Sequence, residues 1–151
     1  MIRDDIKAAT IAAMKRGDKE STATLRLMQA AIKNRDIEVR TGGAPADDDT
    51  LVTEVLQKMM KQRRESADIY RKNGREDRAA AEEAEIAIIE RFLPAQISDS
   101  EAEVVIRQII ADTDASSMKD MGRVMALVKE RLGARIEPAR ASGLVKAALS
   151  G

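Results

Sequence analysis

The chain has 151 residues, with 26 basic and 26 acidic side chains for a formal net charge of zero, and it contains neither His nor Cys. This length is enough for one domain or two small subdomains with a real core, and 44% hydrophobic with 34% charged residues describes a folded chain rather than a disordered one. The missing Cys and His exclude disulfides, Cys-ligated zinc, thiol nucleophiles, Ser-His-Asp triads and most transition-metal sites, and with Tyr70 and Phe92 as the only aromatic residues there is no array of rings for stacking bases.

Apolar residues recur at intervals of three and four, which predicts helices from end to end. Ile2, Ile6, Ala9 and Ala13 line a first helix that Gly17 stops. Asp18 caps a second helix, with Leu25, Met28, Ile32 and Val39 along one face. After the Thr41–Pro45 loop, Asp47, Asp48 and Asp49 suit the positive end of a third helix. That helix buries Val52, Val55, Met59 and Tyr70 and ends at Asn73-Gly74. A fourth, with Ala79, Ile86, Ile89 and Leu93 inward, runs to about Phe92, and Pro94 ends it.

The remainder reads as a separate three-helix unit. Ser98-x-x-Glu101 is a capping box opening a helix with Ala102, Val105, Ile106 and Ile109 inward. Ser117-x-x-Asp120 opens the next, whose Met118, Met121, Met125, Val128 and Leu132 form a core stripe that Gly133 ends. Pro138 starts a last helix carrying Ala141, Leu144, Val145 and Ala148. The expected fold is all-α and multihelical, with a four-helix subdomain over 1–93 and a three-helix mini-bundle over 94–151. No run approaches the length of a membrane span. Arg3, Asp4, Asp5 and Lys7 interrupt what would be the apolar part of a signal peptide. The cytoplasm is the expected location, with no membrane association.

The zero net charge is unevenly distributed. Residues 58–78 hold eight basic against four acidic side chains, residues 115–151 hold seven against three, and residues 95–114 hold one against five. A local excess of cations attracts phosphate and can hold a folded RNA by its backbone without aromatic rings. The same residues also suit ordinary solvated helix faces with i,i+4 ion pairs. Other constellations have structural explanations. The Asp47–Asp49 run lacks the spacing of a calcium loop. Glu82, Glu83 and Glu85 suit the wet side of the fourth helix, and a cap explains Ser117 beside Ser116 and Lys119 without nucleophilic chemistry. Gly42-Gly43 lacks the Lys and Ser/Thr of a phosphate-binding loop. No catalytic residue, metal ligand or cofactor site emerges from residue chemistry.

The stretch from Lys58 to Glu101 resembles the GatB/YqeY family. The matching elements are Lys61-Gln62-Arg63 with Ser66, then Tyr70, Gly74-Arg75-x-Asp77, Glu83-x-Glu85 and Leu93-Pro94-Ala95-Gln96-Ile97-Ser98. Upstream, Thr24–Met28 and Ala31-Ile32-Lys33-Asn34 match in order, and downstream so does Asp120-Met121-Gly122-x-Val124-Met125. The resemblance implies a multihelical fold in two subdomains. It also implies kinship with the C-terminal tail of the B subunit of glutamyl/aspartyl-tRNA amidotransferase, a carbon–nitrogen ligase with glutamine as amido donor. That tail helps to hold tRNA, while amide transfer occurs elsewhere in the enzyme. The expectation is therefore a non-catalytic tRNA-binding or accessory module, with tRNA or a protein of the translation machinery as partner. The alternative is a protein–protein adaptor unrelated to RNA. Lys119, Arg123, Arg131, Arg135 and Lys146 are the first candidates for a phosphate-facing surface, Lys119 and Arg123 because a four-residue spacing puts them on one helix face. Arg63 and Arg64 come second, and Arg75 is expected to pair with Asp77 or cap a helix. Gly122 is expected to permit close helix packing. The chain departs from the family's Gly-x-x-Asp-Gly at Gly133-Ala134-Arg135-Ile136-Glu137-Pro138.

Overall fold

A computed structural model describes residues 1–150. Seven α-helices and no strand are present among the described residues. The chain divides into two compact units, Met1–Leu93 and the segment from Pro94 onward.

In the first unit, α1 (Ile2–Arg16) ends at Gly17, whose left-handed φ of 71° is open to glycine without strain. The Asp18 N–H then reaches back to the Ala13 carbonyl at 3.0 Å, satisfying an orphan acceptor of the helix end. Asp18 at once caps α2 (Lys19–Glu38), its carboxylate accepting from the Ser21 N–H. This two-residue junction folds α1 back along α2, and Gln29 donates to the Thr10 hydroxyl at 2.7 Å between them. A short 3-10 turn, Val39–Thr41, takes Val39 out of the helix proper and leaves it half-buried. Asp47 caps α3 (Asp48–Lys72) through the Thr50 N–H. Asn73 and Gly74 turn the chain into α4 (Glu76–Glu90). α4 stops two residues before the expected Phe92, because Phe92 and Leu93 bond to carbonyls three residues back and tighten the last turn. Leu93 is nevertheless buried.

The core of this unit combines Ile6, Leu25, Met28, Val52, Leu56, Met60 and Ile89, apolar side chains removed from water by all four helices. Tyr70 is half-buried rather than buried, with the Arg78 guanidinium 5.8 Å from its ring centroid.

The second unit begins with α5 (Asp99–Thr113), capped by Ser98, which accepts from the Glu101 N–H. The expected reciprocal half of a capping box is absent, because the Ser98 hydroxyl lies 3.2 Å from the Glu101 carboxylate and holds it at the side chain. A full capping box does form at Ser117 and Asp120, but it closes a 3-10 turn over Met118–Asp120, and α6 proper runs from Met121 to Leu132. α7 spans Pro138–Ser150. Ile106, Ile109, Val124, Val128 and Val145 centre the core of this unit.

Two expectations about this core are corrected. The methionine stripe lies at its margin: Met118 is 44% exposed because it falls in the 3-10 turn, and Met121 and Met125 are half-buried because the fully buried line of α6 is Val124, Val128 and Leu132. Ala148 faces solvent, and Leu149, four residues beyond Val145, packs on the core instead.

Gly122 is likewise not a packing glycine: it is exposed, and a Cβ built there meets nothing within 4 Å. With helical backbone and open space, Gly122→Ala is expected to stabilise the second unit by roughly 0.5–1 kcal/mol, since alanine loses less backbone freedom. A thermal melt of the variant checks this, and a lowered midpoint would contradict the open environment.

Candidate nucleic-acid interface

The basic side chains expected to face phosphate fall into two groups once folded. Arg63 is built into the fold: its guanidinium donates to Glu85 at 2.9 Å and to the Met59 carbonyl at 3.2 Å, and its side chain is only 14% exposed. Arg64 pairs with Glu90 at 3.3 Å, Arg131 with Asp112 at 3.3 Å, and Arg123 with Asp120 at 3.1 Å as well as the Thr113 carbonyl. Lys119, Arg135 and Lys146 are exposed and make no ion pair among the described residues, and neither does Lys129. Lys119 and Arg123 do not share one helix face as expected, because Lys119 sits in the 3-10 turn and Arg123 in α6. On α6 itself, Gly122, Ala126 and Lys129 follow one exposed line at steps of four and three.

The acidic residues are also more engaged than a wet helix side implies. Arg71 bridges Glu76 at 3.0 Å and Glu83 at 2.7 Å, tying the end of α3 to α4. Those hydrogen bonds hold the Glu76 carboxyl below its usual range. Glu82 shifts the other way: burial first, then the neighbouring Glu85 charge, raises it. Asp120 is lowered by the Ser116 and Ser117 backbone N–H groups, the first at 2.9 Å. Asp77 is lowered chiefly by Arg75, the pairing expected for that arginine. Asp48 and Asp49 are tethers: Asp48 receives the Arg3 guanidinium at 2.8 Å and Asp49 the Ile2 N–H at 2.9 Å. No group of three or more carboxylates that could hold a metal ion occurs among the described residues.

The segment Leu93–Ser98 and the atypical loop are joined through backbone. The Gln96 amide donates to the Pro94 and Ala134 carbonyls at 3.0 and 2.9 Å, and the Ile97 N–H donates to the Arg135 carbonyl at 2.9 Å. Arg140 adds an ion pair to Asp99 at 2.8 Å and a hydrogen bond to the Ile97 carbonyl. Ile136 and Glu137 are buried, so this loop is fixed from inside while the Arg135 side chain remains exposed. The absence of glycine at Glu137 and Pro138 is compatible with that arrangement, since only Gly133 has positive φ in the loop.

Among the described residues the chain is all-α in two units, with exposed lysines and arginines that make no ion pair and with no group of three side chains that could hold a metal ion. The Yqey-like protein family matches residues 3–149, and the chain belongs to that family. It is 31% identical over 128 residues to the Altered inheritance of mitochondria protein 41, mitochondrial, of Eremothecium gossypii, a match covering 85% of this chain and 64% of that protein. The protein of the same name from Vanderwaltozyma polyspora is 30% identical over 126 residues, covering 80% and 64%. In Saccharomyces cerevisiae the match is 30% over 104 residues, 69% of this chain and 52% of the relative. The chain thus spans between about half and two thirds of the length of these curated relatives. These relatives are named as mitochondrial proteins, which does not bear out the expected cytoplasmic location. No helix among the described residues is long and apolar enough to cross a membrane.

Most residues that carry the family resemblance hold the fold together. Arg63 and Glu85 clasp α3 to α4, Gly74 turns the chain with φ 71°, and Gln96 and Ile97 hold the 133–135 turn. Arg26 and Lys33, within the upstream matches, differ in being exposed without an ion pair.

Proposed function

We propose that this chain is a non-catalytic RNA-contacting accessory module that meets tRNA through the sugar–phosphate backbone, in association with amidotransferase-type or other translation machinery. The observation that carries this reading is the set of exposed cations in the second unit, Lys119, Lys129, Arg135 and Lys146, which no carboxylate neutralises within 4 Å. Unneutralised cations on a rigid helical surface release counterions from a polyanion. Two aromatic residues, both half-buried, leave backbone and shape rather than base stacking as the means of recognition. The family resemblance to a tRNA-holding tail supports the same reading.

Binding to bulk tRNA across a salt series tests it. The logarithm of affinity is expected to fall linearly with log salt, by about 0.7–0.9 for each phosphate neutralised. Salt-independent or absent binding at low ionic strength overturns the proposal. Glutamine-dependent amidation by the purified chain is expected to show no turnover. A protein adaptor is the second reading, favoured by the exposed Ile69 and Val104. It gains support if a protein partner is captured equally well after ribonuclease treatment.

A further inference from the structure

The outer face of α2 carries cations at a constant interval. Lys19, Arg26 and Lys33 stand seven residues apart within the helix, and Arg40 continues the interval in the 3-10 turn that follows. At the rise of an α-helix each step is about 10.5 Å, with a drift of about 20° around the axis. All four are exposed and none makes an ion pair among the described residues. Between them along the same face come Ala23, Ala30 and Ile37, also exposed; the one acid beside the row, Asp36, four residues before Arg40, is half-buried. The acids of α2 are engaged or turned away. Asp36 takes the Arg3 guanidinium at 2.7 and 2.9 Å, Glu38 pairs with Arg35 at 3.0 Å, and Glu20 points about 100° round the helix from Lys19. α1 borders the row: the charge of its Lys7, like that of Arg40, lowers the Asp36 carboxyl, and the Arg26 guanidinium donates to the Met14 sulfur at 3.5 Å.

We infer that this row is a contact for the phosphodiester backbone of RNA, separate from and in addition to the cations of the other unit; the identity of the polyanion as RNA rests on the function proposed above. The spacing decides the class of ligand. A single phosphate or carboxylate cannot bridge cations about 10.5 Å apart, whereas a polyanion with charges repeated along its length meets each in turn. The alanines between them let a backbone lie close. An anionic membrane fits less well, because on this row only Ile37 could enter the acyl region, and Leu27 lies about 100° away from Arg26. With no ring on the row, the contact reads charge and path, not base identity.

Wild type and two neutralised variants, Arg26→Gln/Lys33→Gln/Arg40→Gln and Lys119→Gln/Lys129→Gln/Lys146→Gln, test the inference together with one charge-conserving variant, each titrated with bulk tRNA at several salt concentrations. Loss of the α2 cations is expected to lower the salt slope by about 2–3, so that the thirtyfold or so of affinity these contacts lose between 50 and 200 mM salt disappears. The charge-conserving Arg26→Lys/Lys33→Arg/Arg40→Lys protein is expected to keep the wild-type slope, and circular dichroism to show equal helicity in all. If wild type binds tRNA and the α2 variant keeps its slope while the other variant loses it, the inference falls and the proposed function stands. If wild type shows no salt-dependent tRNA binding, both fall. Binding to vesicles of phosphatidylglycerol and phosphatidylcholine in place of tRNA also overturns the inference.

Discussion

Ile89→Ala is expected to destabilise the first unit by about 2–5 kcal/mol, the range for deleting most of a large aliphatic side chain from a packed core. Ile89 has no exposed surface and lies on α4 in the cluster that includes Leu25, Met28, Leu56 and Met60 from α2 and α3. The truncation removes apolar surface from the interior and leaves a cavity whose lining loses dispersion contacts. The neighbouring Ile88 only packs against that cluster from a half-buried position, so Ile88→Ala costs less. Ile11, 55% exposed on α1, is expected to tolerate alanine within about 0.5 kcal/mol. Urea denaturation of the three variants checks the order, with an unchanged m-value showing that stability rather than the denatured state has moved. Equal losses at positions 88 and 89 would contradict the assignment of the core.

Arg3→Ala is expected to cost about 2–3 kcal/mol, comparable with the loss of one charged hydrogen-bonding group that several acceptors share. The Arg3 guanidinium donates to both carboxylate oxygens of Asp36, at 2.7 and 2.9 Å, and to Asp48 at 2.8 and 3.2 Å. One residue thereby links α1 to α2 and to the first turn of α3, and its side chain is three-quarters buried. Removing it leaves Asp36 and Asp48 facing each other's charge. The pairing also sets an acid limb. Arg3 holds the Asp36 carboxyl below its ordinary range. The stabilisation is therefore complete above the unfolded-state value near ~3.9 and is lost as pH falls through the lower folded-state value. Asp18, Glu76, Asp77 and Asp120 shift in the same direction. Glu82 opposes them: its raised value contributes stability that is present at low pH and lost as pH rises through the folded-state value. The wild-type melting temperature is expected to drop below about pH 4, and less steeply in Arg3→Ala. Melts across that range measure it, and parallel curves for the two proteins would exclude Arg3 as the cause.

Local chemistry made much of the fold legible. Helix ends are fixed by atoms a few residues apart, so Gly17, Asp18, Asp47 and Ser98 announced theirs in the sequence and serve there in the structure. Register was lost only locally where a 3-10 turn intervened, at Met118–Asp120: Met118 leaves the expected face, while Val128 and Leu132 on α6 are buried as expected. The candidate surface was harder to read, and the reason is the sequence distance of its ion pairs. Arg63, Arg64 and Arg131 look like free cations until Glu85, Glu90 and Asp112, 22, 26 and 19 residues away, close on them. The reverse holds on α2. Counted by segment, its cations are offset by nearby acids, yet Asp36 is taken by Arg3, 33 residues distant, which leaves Arg26 and Lys33 unopposed. The seven-residue interval was written in the chain, but segment totals of charge do not register periodicity.

The interval on α2 has an electrostatic consequence of its own. At about 0.1 M salt the Debye length is about 10 Å, nearly one step of the row. Dissolved salt then screens neighbouring cations from one another, so the helix carries them with little mutual repulsion and each attracts an opposite charge almost independently. A chain of zero net charge has no net monopole to draw a polyanion in, so steering falls to its local clusters of charge. For the contact proposed above, the expected behaviour is grip gained or lost in separate, nearly equal increments as each phosphate is met.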